Sequence, residues 1–338
     1  MDFEIKKFDD FTMSSWNDLL SEMDGPIHTC NWNNLNYFSA YEKMANYSRA
    51  VFYENKLVAL FPFAKNYSEE KINFSFGNNL IFAPVFSHSI NTSIRKKIYV
   101  YFFKLIKEQF DLKKLQLKIQ VSPIYFDNNK ANLLSKNQFE LIEFSKSYIV
   151  HNTLILDLGK NEDLLLSNMS KYHRRNILRA SKIKKLEFNV VNFKKKDEVK
   201  KKFHEFRKYH KISAGRVTRP IKTWEIMLDK IFESEADLFY LNYNNKSISY
   251  LYCAKFSNYA WGWTQVNVRN FEFLSPRHFL EWNAIKYYKK KKFNFYEIGE
   301  RFNDQKNFKP TDKEKSISEF KEKFGSDKYP KVIFNVEV

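Results

Sequence analysis

The chain has 338 residues, which suits two domains better than one ordinary core. Its 57 Lys+Arg against 39 Asp+Glu leave a net charge of +18 and a pI near 9.5, favouring anionic partners such as nucleic acid, nucleotide-linked substrates or anionic lipid. Two distant cysteines, Cys30 and Cys253, exclude a zinc-ligand spacing and a disulfide framework, and no apolar run reaches the roughly 18 residues of a membrane span.

The N-terminus MDFEIKKFDDF has no signal-peptide core, so a cytoplasmic protein is expected, its positive surface able to touch the inner face of a membrane. A strand opens the chain, and a helix follows over 14–23. After the turn Asp24-Gly25-Pro26, HTCNWNNLNYFSAYEKM places Trp32, Leu35 and Phe38 at helical spacing. YSRAVFYENKLVALFPFAK reads as a hairpin turning at Glu54-Asn55-Lys56, ahead of the strand KINFSFG and the apolar LIFAPVF. A helix over 95–110 and the alternating strand LKKLQLKIQV complete the first half.

The second half repeats that order. A helix with Trp224 and Ile231 precedes ADLFYLNYNNKSISYLYCAKF, a hairpin turning at Asn244-Asn245; the strand YAWGWTQV, a helix over 276–292 and the strand FNFYEI follow. The offset of roughly 180 residues fits a duplicated domain. The expected class is α/β (α+β), with two mixed twisted sheets flanked by helices. Domain one is expected over 1–155 and domain two over 156–326, with the strand-like tail 327–338 returning to the first.

Between the halves lies KYHRRNILRASKIKK, residues 171–185. As a helix it aligns Lys171, Arg175, Arg179 and Lys182 on one face, either a solvated stripe or a surface for phosphates. Asn161 can cap a helix running into this stretch, with Glu162 and Asp163 in its first turn and Leu165, Met169 and Tyr172 facing inward.

Several chemical motifs are absent: there is no Gly-x-Gly-x-x-Gly, no Walker loop and no Gly-x-Ser-x-Gly elbow. His204 and His210 are six apart, too far for adjacent ligands on one helical face, so no metal site is expected. Ser275-Pro276 predicts a helix start whose first amides could face an anion or simply be capped. Gly215, Arg216 and Arg219 lie in a loop before Trp224, where guanidinium offers a planar bidentate donor set for phosphate or carboxylate. In ISEFKEKFG, Phe320 and Phe324 are i and i+4 and should be buried. Lys321 would then project from an anchored helix end, suited to stabilising an oxyanion or protonating a leaving group.

Taken together, GPIHTCNWNNLNYF, SKYHRRNILRASK, GRVTRP, SPRHFLEWNAIKYY, YEIG and ISEFKEKFG resemble, in that order, the FemABX family of aminoacyltransferases, built of tandem GNAT-like domains. With no coiled-coil insertion, the chain is similar to the compact members. The resemblance implies two GNAT-like domains meeting at a cleft. It also implies transfer of an aminoacyl group from aminoacyl-tRNA to an amine of a nucleotide- or lipid-linked envelope precursor, by a monomer with no metal and no bound cofactor. It makes Lys321 the oxyanion stabiliser with Phe320 packed on it and Arg219 the diphosphate clamp; Arg216, Trp32, Asn36, Ser275 and His278 are the further candidates for binding substrate. Arg175 and Arg179 would be contacts to phosphate or tRNA. The family often carries a lysine shortly after the early tryptophan; here Asn33, Asn34, Leu35 and Asn36 follow Trp32. A tyrosine frequent four residues after the clamp arginine is Thr223 here.

Two other readings stay open. One is an acyl-CoA-dependent N-acyltransferase acting on an amino sugar of a surface polysaccharide, although VRNFEFLSPRHFL has no glycine where a pyrophosphate loop belongs. The other is a non-catalytic tRNA-binding protein that uses the net charge.

Overall fold

The computed structural model describes residues 3–67, 72–74, 80–127, 130–133, 139–305 and 308–338. They divide into two compact units, 1–151 with 305–308 and 330–338, and 152–304 with 309–329.

In the first unit, Phe3–Lys7, Arg49–Tyr53, Lys56–Phe61, Val85–Ser87 and Met23–Asp24 form an antiparallel sheet in that order. The hairpin turns through Glu54 and Asn55 at φ 50° and 60°, the left-handed pair that matches strand twist. The helix Thr92–Gln109 presents Tyr99, Phe102 and Phe103, all essentially buried, to the sheet; Phe102 stacks on Phe61 at 3.9 Å between centroids. Gln116–Val121 pairs antiparallel with the C-terminal strand, from Gln116 opposite Glu337 to Val121 opposite Val332. Of the strand read in KINFSFG, Ile72–Phe74 is seen, and the rest lies outside the described residues.

The second unit carries six strands: β1 (Ser145–Asp157, from Asn152 on), β2 (Leu186–Val190), β3 (Ala236–Tyr243), β4 (Lys246–Phe256), β5 (Tyr259–Asn267) and β6 (Phe295–Arg301). Their order is β2-β3-β4-β5-β6-β1, antiparallel throughout except for β5 and β6. The β3–β4 turn places Asn244 and Asn245 at φ 49° and 63°, the same left-handed solution as in the first unit. Six helices accompany the sheet: α1 (Glu162–Asn168), α2 (Lys171–Ser181), α3 (Lys196–Ala214), α4 (Ile221–Phe232), α5 (Pro276–Lys290) and α6 (Asp312–Glu322). The hairpin, helix and closing strand recur: Arg49 to Ala236, Thr92 to Pro276 and Gln116 to Phe295 are 187, 184 and 179 positions apart.

Alternation along β4 separates the two faces of this sheet. Tyr252 points to the α3 and α4 side, donating its hydroxyl to the Met227 carbonyl at 2.9 Å. Cys253 points to the α5 side, into a core with Leu251, Leu280, Ile285, Tyr288, Tyr296 and Phe324. Each large side chain so buried stabilises the fold by about 1.5–3 kcal/mol.

The helix expected to run through 161–185 is two helices. Asn161 caps α1 as expected, its side chain accepting from the Leu164 amide at 2.8 Å, but the helix stops at Asn168 and Ser170 caps a new one. The break rotates the second helix, so Tyr172 is 55% exposed and His173, fully buried, takes the inward position. Ser275 also differs from expectation. Pro276 does open α5, but Ser275 sits at φ 54°, ψ 45° with no side-chain cap, because its hydroxyl is engaged elsewhere.

Candidate functional site

The break at Met169–Ser170 has a physical purpose. It presents the N-terminal amides of α2 to the C-terminal carbonyls of α6, so two sets of groups that helices leave unpaired satisfy each other. The Ser170 amide donates to the Lys323 carbonyl at 2.9 Å, and His173 Nε2 donates to the Phe320 carbonyl at 3.0 Å. His173 Nδ1 accepts from Ser170 Oγ at 3.2 Å, which fixes the tautomer. Phe324 is fully buried and Phe320 half-buried, their rings within 5 Å of the His173 ring. Gly325, at φ 78°, closes the latch: a β-carbon there would meet the Asn168 carbonyl carbon and oxygen at 2.6 and 2.7 Å. At its other end α6 begins with a reciprocal cap between Thr311 and Glu314. Lys321 therefore stands on a helix fixed at both ends.

Its side chain lies across Gly299 of β6. A β-carbon on Gly299 would overlap Lys321 Nζ and meet Cδ and Cε at 3.0 and 3.1 Å. The absence of a side chain at this position, where φ is 144°, makes the notch in which the ammonium rests. Beside it, β5 and β6 pair in parallel only from Tyr259 opposite Phe295 to Trp261 opposite Glu297, although both strands continue to Asn267 and Arg301. Where they part, Gly262 takes the place of a side chain on β5. A β-carbon there would lie 3.0 Å from the Tyr296 hydroxyl and 3.7 Å from Glu281 Oε1.

Glu281 projects from α5 beneath that point and is 6% exposed. Tyr296 donates its hydroxyl to Glu281 Oε1 at 2.6 Å, and Cys253 Sγ lies 3.5 Å from the same hydroxyl. Burial pushes the carboxyl above its ordinary range, opposed by the Tyr296 hydrogen bond and by the charges of Lys321 and Arg277. A held cation and a buried carboxyl thus share the parting of two strands.

His278, one turn before Glu281 on α5, packs its ring 4.5 Å from His173 and 5.1 Å from Phe320. Burial pulls both imidazoles down to about 4, helped at His278 by the His173 and Arg277 charges and at His173 by Lys323. A folded-state value below the ordinary 6.5 means that the unfolded chain binds more protons between 6.5 and 4. The stability that neutral rings contribute is complete above 6.5 and is lost as pH falls toward 4. Acidification from pH 7 to 5 is expected to remove up to about 2 kcal/mol per ring. Thermal melts should therefore drop across this window, and His173→Gln should flatten the slope.

The structure brings Lys321, Phe320 and His278 together. Ser275 and Arg179 are tied to each other nearby: Arg179 Nη2 donates to Ser275 Oγ at 2.7 Å and to the Phe273 carbonyl at 3.2 Å, and Ser275 Oγ donates to Asn176 at 3.2 Å. Arg175 is exposed, its guanidinium 5.7 Å from the Tyr172 ring. Arg216 is exposed on the α3–α4 connection. Arg219 lies on the other face of the sheet from Lys321, stacked 5.1 Å over Trp224 and 3.6 Å from Met227 Sδ. Trp32 and Asn36 belong to the first unit, where Trp32 opens a helix and stacks on Phe8 at 4.1 Å. Elsewhere in the second unit a pocket of about 360 Å³ is lined by Val190, Phe193, Asp237, Lys255, Tyr287 and Phe293. Its central charges are already satisfied, with Lys255 on both Asp237 oxygens at 2.8 and 2.9 Å.

Among solved structures, the chain is similar to FemX, with a TM-score of 0.65 at 12% identity, covering 99% of this chain and 98% of that one. The fold is a tandem GNAT fold of the FemX type. The C-terminal domain of a putative lysylphosphatidylglycerol synthetase from Agrobacterium fabrum shares it at a TM-score of 0.59 and 10% identity, over 96% of this chain and 90% of that one. A tandem GNAT protein from the clavulanic acid biosynthesis pathway gives 0.50 at 13% identity, over 100% and 98%. No family model matches the chain, and no curated protein matches it in sequence. At these identities the FemX-type likeness carries the fold, and the chemistry rests on the residues of the second unit.

Proposed function

We propose that the protein is an acyltransferase that moves an aminoacyl group to an amine of a cell-envelope precursor, with the reaction centred where β5 and β6 part. The observation that supports this most is the Lys321 ammonium held in the Gly299 notch beside buried Glu281. An aminoacyl ester is already activated, so the site must supply charge at the carbonyl oxygen and accept the protons that the amine gives up. Lys321 faces the first task. An acceptor amine with a pKa near 10 is almost wholly protonated at pH 7, and an ammonium cannot take its proton. His173 is committed to Phe320 and Ser170; the Glu281 carboxylate, which feels the Lys321 charge, takes the second task in this proposal. Glu281 takes one proton from the ammonium and releases it to solvent; the neutral amine then forms the new C–N bond, and its second proton passes by way of Glu281 to the ester oxygen as the C–O bond breaks.

An ester donor carried by tRNA fits better than acyl-CoA. The β5–α5 connection is a 3-10 turn over Arg269–Leu274, then Ser275 in a left-handed conformation and Pro276, which removes the first helical amide. A pyrophosphate cradle needs consecutive free amides at that point. With charged tRNA, an amine-bearing nucleotide-linked precursor should shorten the life of the aminoacyl ester only when the protein is present. Consumption of acyl-CoA with an amino sugar, and none of charged tRNA, would transfer the assignment to the N-acyltransferase reading.

A further inference from the structure

The outward face of α2 presents Lys171, Arg175, Leu178 and Lys182, opposite the buried His173, Asn176, Ile177 and Ala180. The chain then runs into Lys184 and Lys185, both exposed. None of these five cations lies within ion-pair distance of a carboxylate among the described residues, and α2 itself contains no acid. Apolar side chains are exposed on and around this helix: Leu178 on the same face is 49% exposed, Tyr172 on its flank 55%, and Phe273, whose carbonyl is held by Arg179 of the helix, 67%. A stripe serving solubility alone has no need of these three.

We infer that this face docks the protein on an anionic lipid surface, the lysines and arginine meeting headgroup phosphates while Leu178, Tyr172 and Phe273 enter the boundary beneath them. Unpaired cations supply long-range attraction to anionic lipid, and aromatic and aliphatic tips supply the short-range partition that holds a protein at an interface. A polyanion such as RNA uses the same cations but gains little from an exposed leucine. The inference is independent of the chemistry proposed above. A bilayer contact would bring the protein to substrates held by lipid, whatever reaction it performs.

The test is flotation of the full chain with vesicles of phosphatidylcholine alone, or of phosphatidylcholine mixed with phosphatidylglycerol. Binding is expected only to the mixed vesicles, declining with added salt. Arg175→Glu with Lys182→Glu should reduce partition at least a hundredfold, since each unit of charge near the surface is worth about fivefold and the two reversals change four units. Leu178→Ser with Phe273→Ser should reduce it about tenfold at unchanged melting temperature. Failure to bind mixed vesicles would overturn the inference. Binding indifferent to the Leu178 and Phe273 changes, and displaced by uncharged tRNA, would overturn it in favour of a general polyanion surface.

Discussion

Gly299→Ala should abolish most activity while leaving the fold intact. The new methyl would overlap Lys321 Nζ, the far end of a flexible side chain, so the clash is relieved by moving the lysine rather than the sheet. The ammonium must leave its notch by about 1 Å, and a misplacement of that size costs on the order of 10²-fold in rate. The backbone adds a penalty of its own, because φ of 144° is a region that alanine enters at about 1–3 kcal/mol. Turnover is therefore expected to fall at least a hundredfold, with a melting temperature a few degrees lower. Retained turnover would mean that the position of Lys321 over Gly299 has no part in the chemistry.

Lys321→Ala is the second large effect. Removing a single oxyanion donor typically lowers turnover by 10²–10³-fold, and here no other described cation occupies the notch. Lys321 makes no ion pair with a carboxylate among the described residues; its loss removes one of the charges that oppose the burial of Glu281, and the Tyr296 hydrogen bond and Arg277 remain. Stability should change little, because α6 is held by its Thr311 cap and by the His173 and Ser170 bonds at its far end. Lys321→Arg should not restore turnover, since a planar guanidinium does not fit where a point charge rests.

The repeated order of hairpin, strand, helix and strand was legible because period-2 runs flanked turns rich in Asn, and because both hairpins needed the same left-handed pair. That Lys321 stands on an anchored helix end was legible through Phe320 and Phe324, an aromatic pair at helical spacing that had to be packed. The break at Ser170 was not, since a serine within a charged helical stretch gives no sign of capping until α6 arrives to need its amide. Glu281 and His173 escaped notice for a related reason. A glutamate in a helix reads as solvated, and its burial depends on Tyr296, which reaches it only after β6 is laid beside β5. One signal was available: in a chain with seven glycines, Gly262 between two tryptophans and Gly299 after YEI are positions where a β-carbon would crowd Tyr296 and Lys321. Arg219 is a different case. A loop arginine before a buried tryptophan fits a phosphate clamp and a cation–π stack equally well, and the sequence does not record the face of the sheet.

The central claim is that the Lys321 ammonium in its notch carries the reaction. It is tested most directly by single-turnover decay of an aminoacyl-tRNA ester with an amine acceptor, comparing wild type and Lys321→Ala at equal melting temperature. The structure predicts that the variant loses at least two orders of magnitude in rate. Decay at the wild-type rate in the folded variant would contradict it.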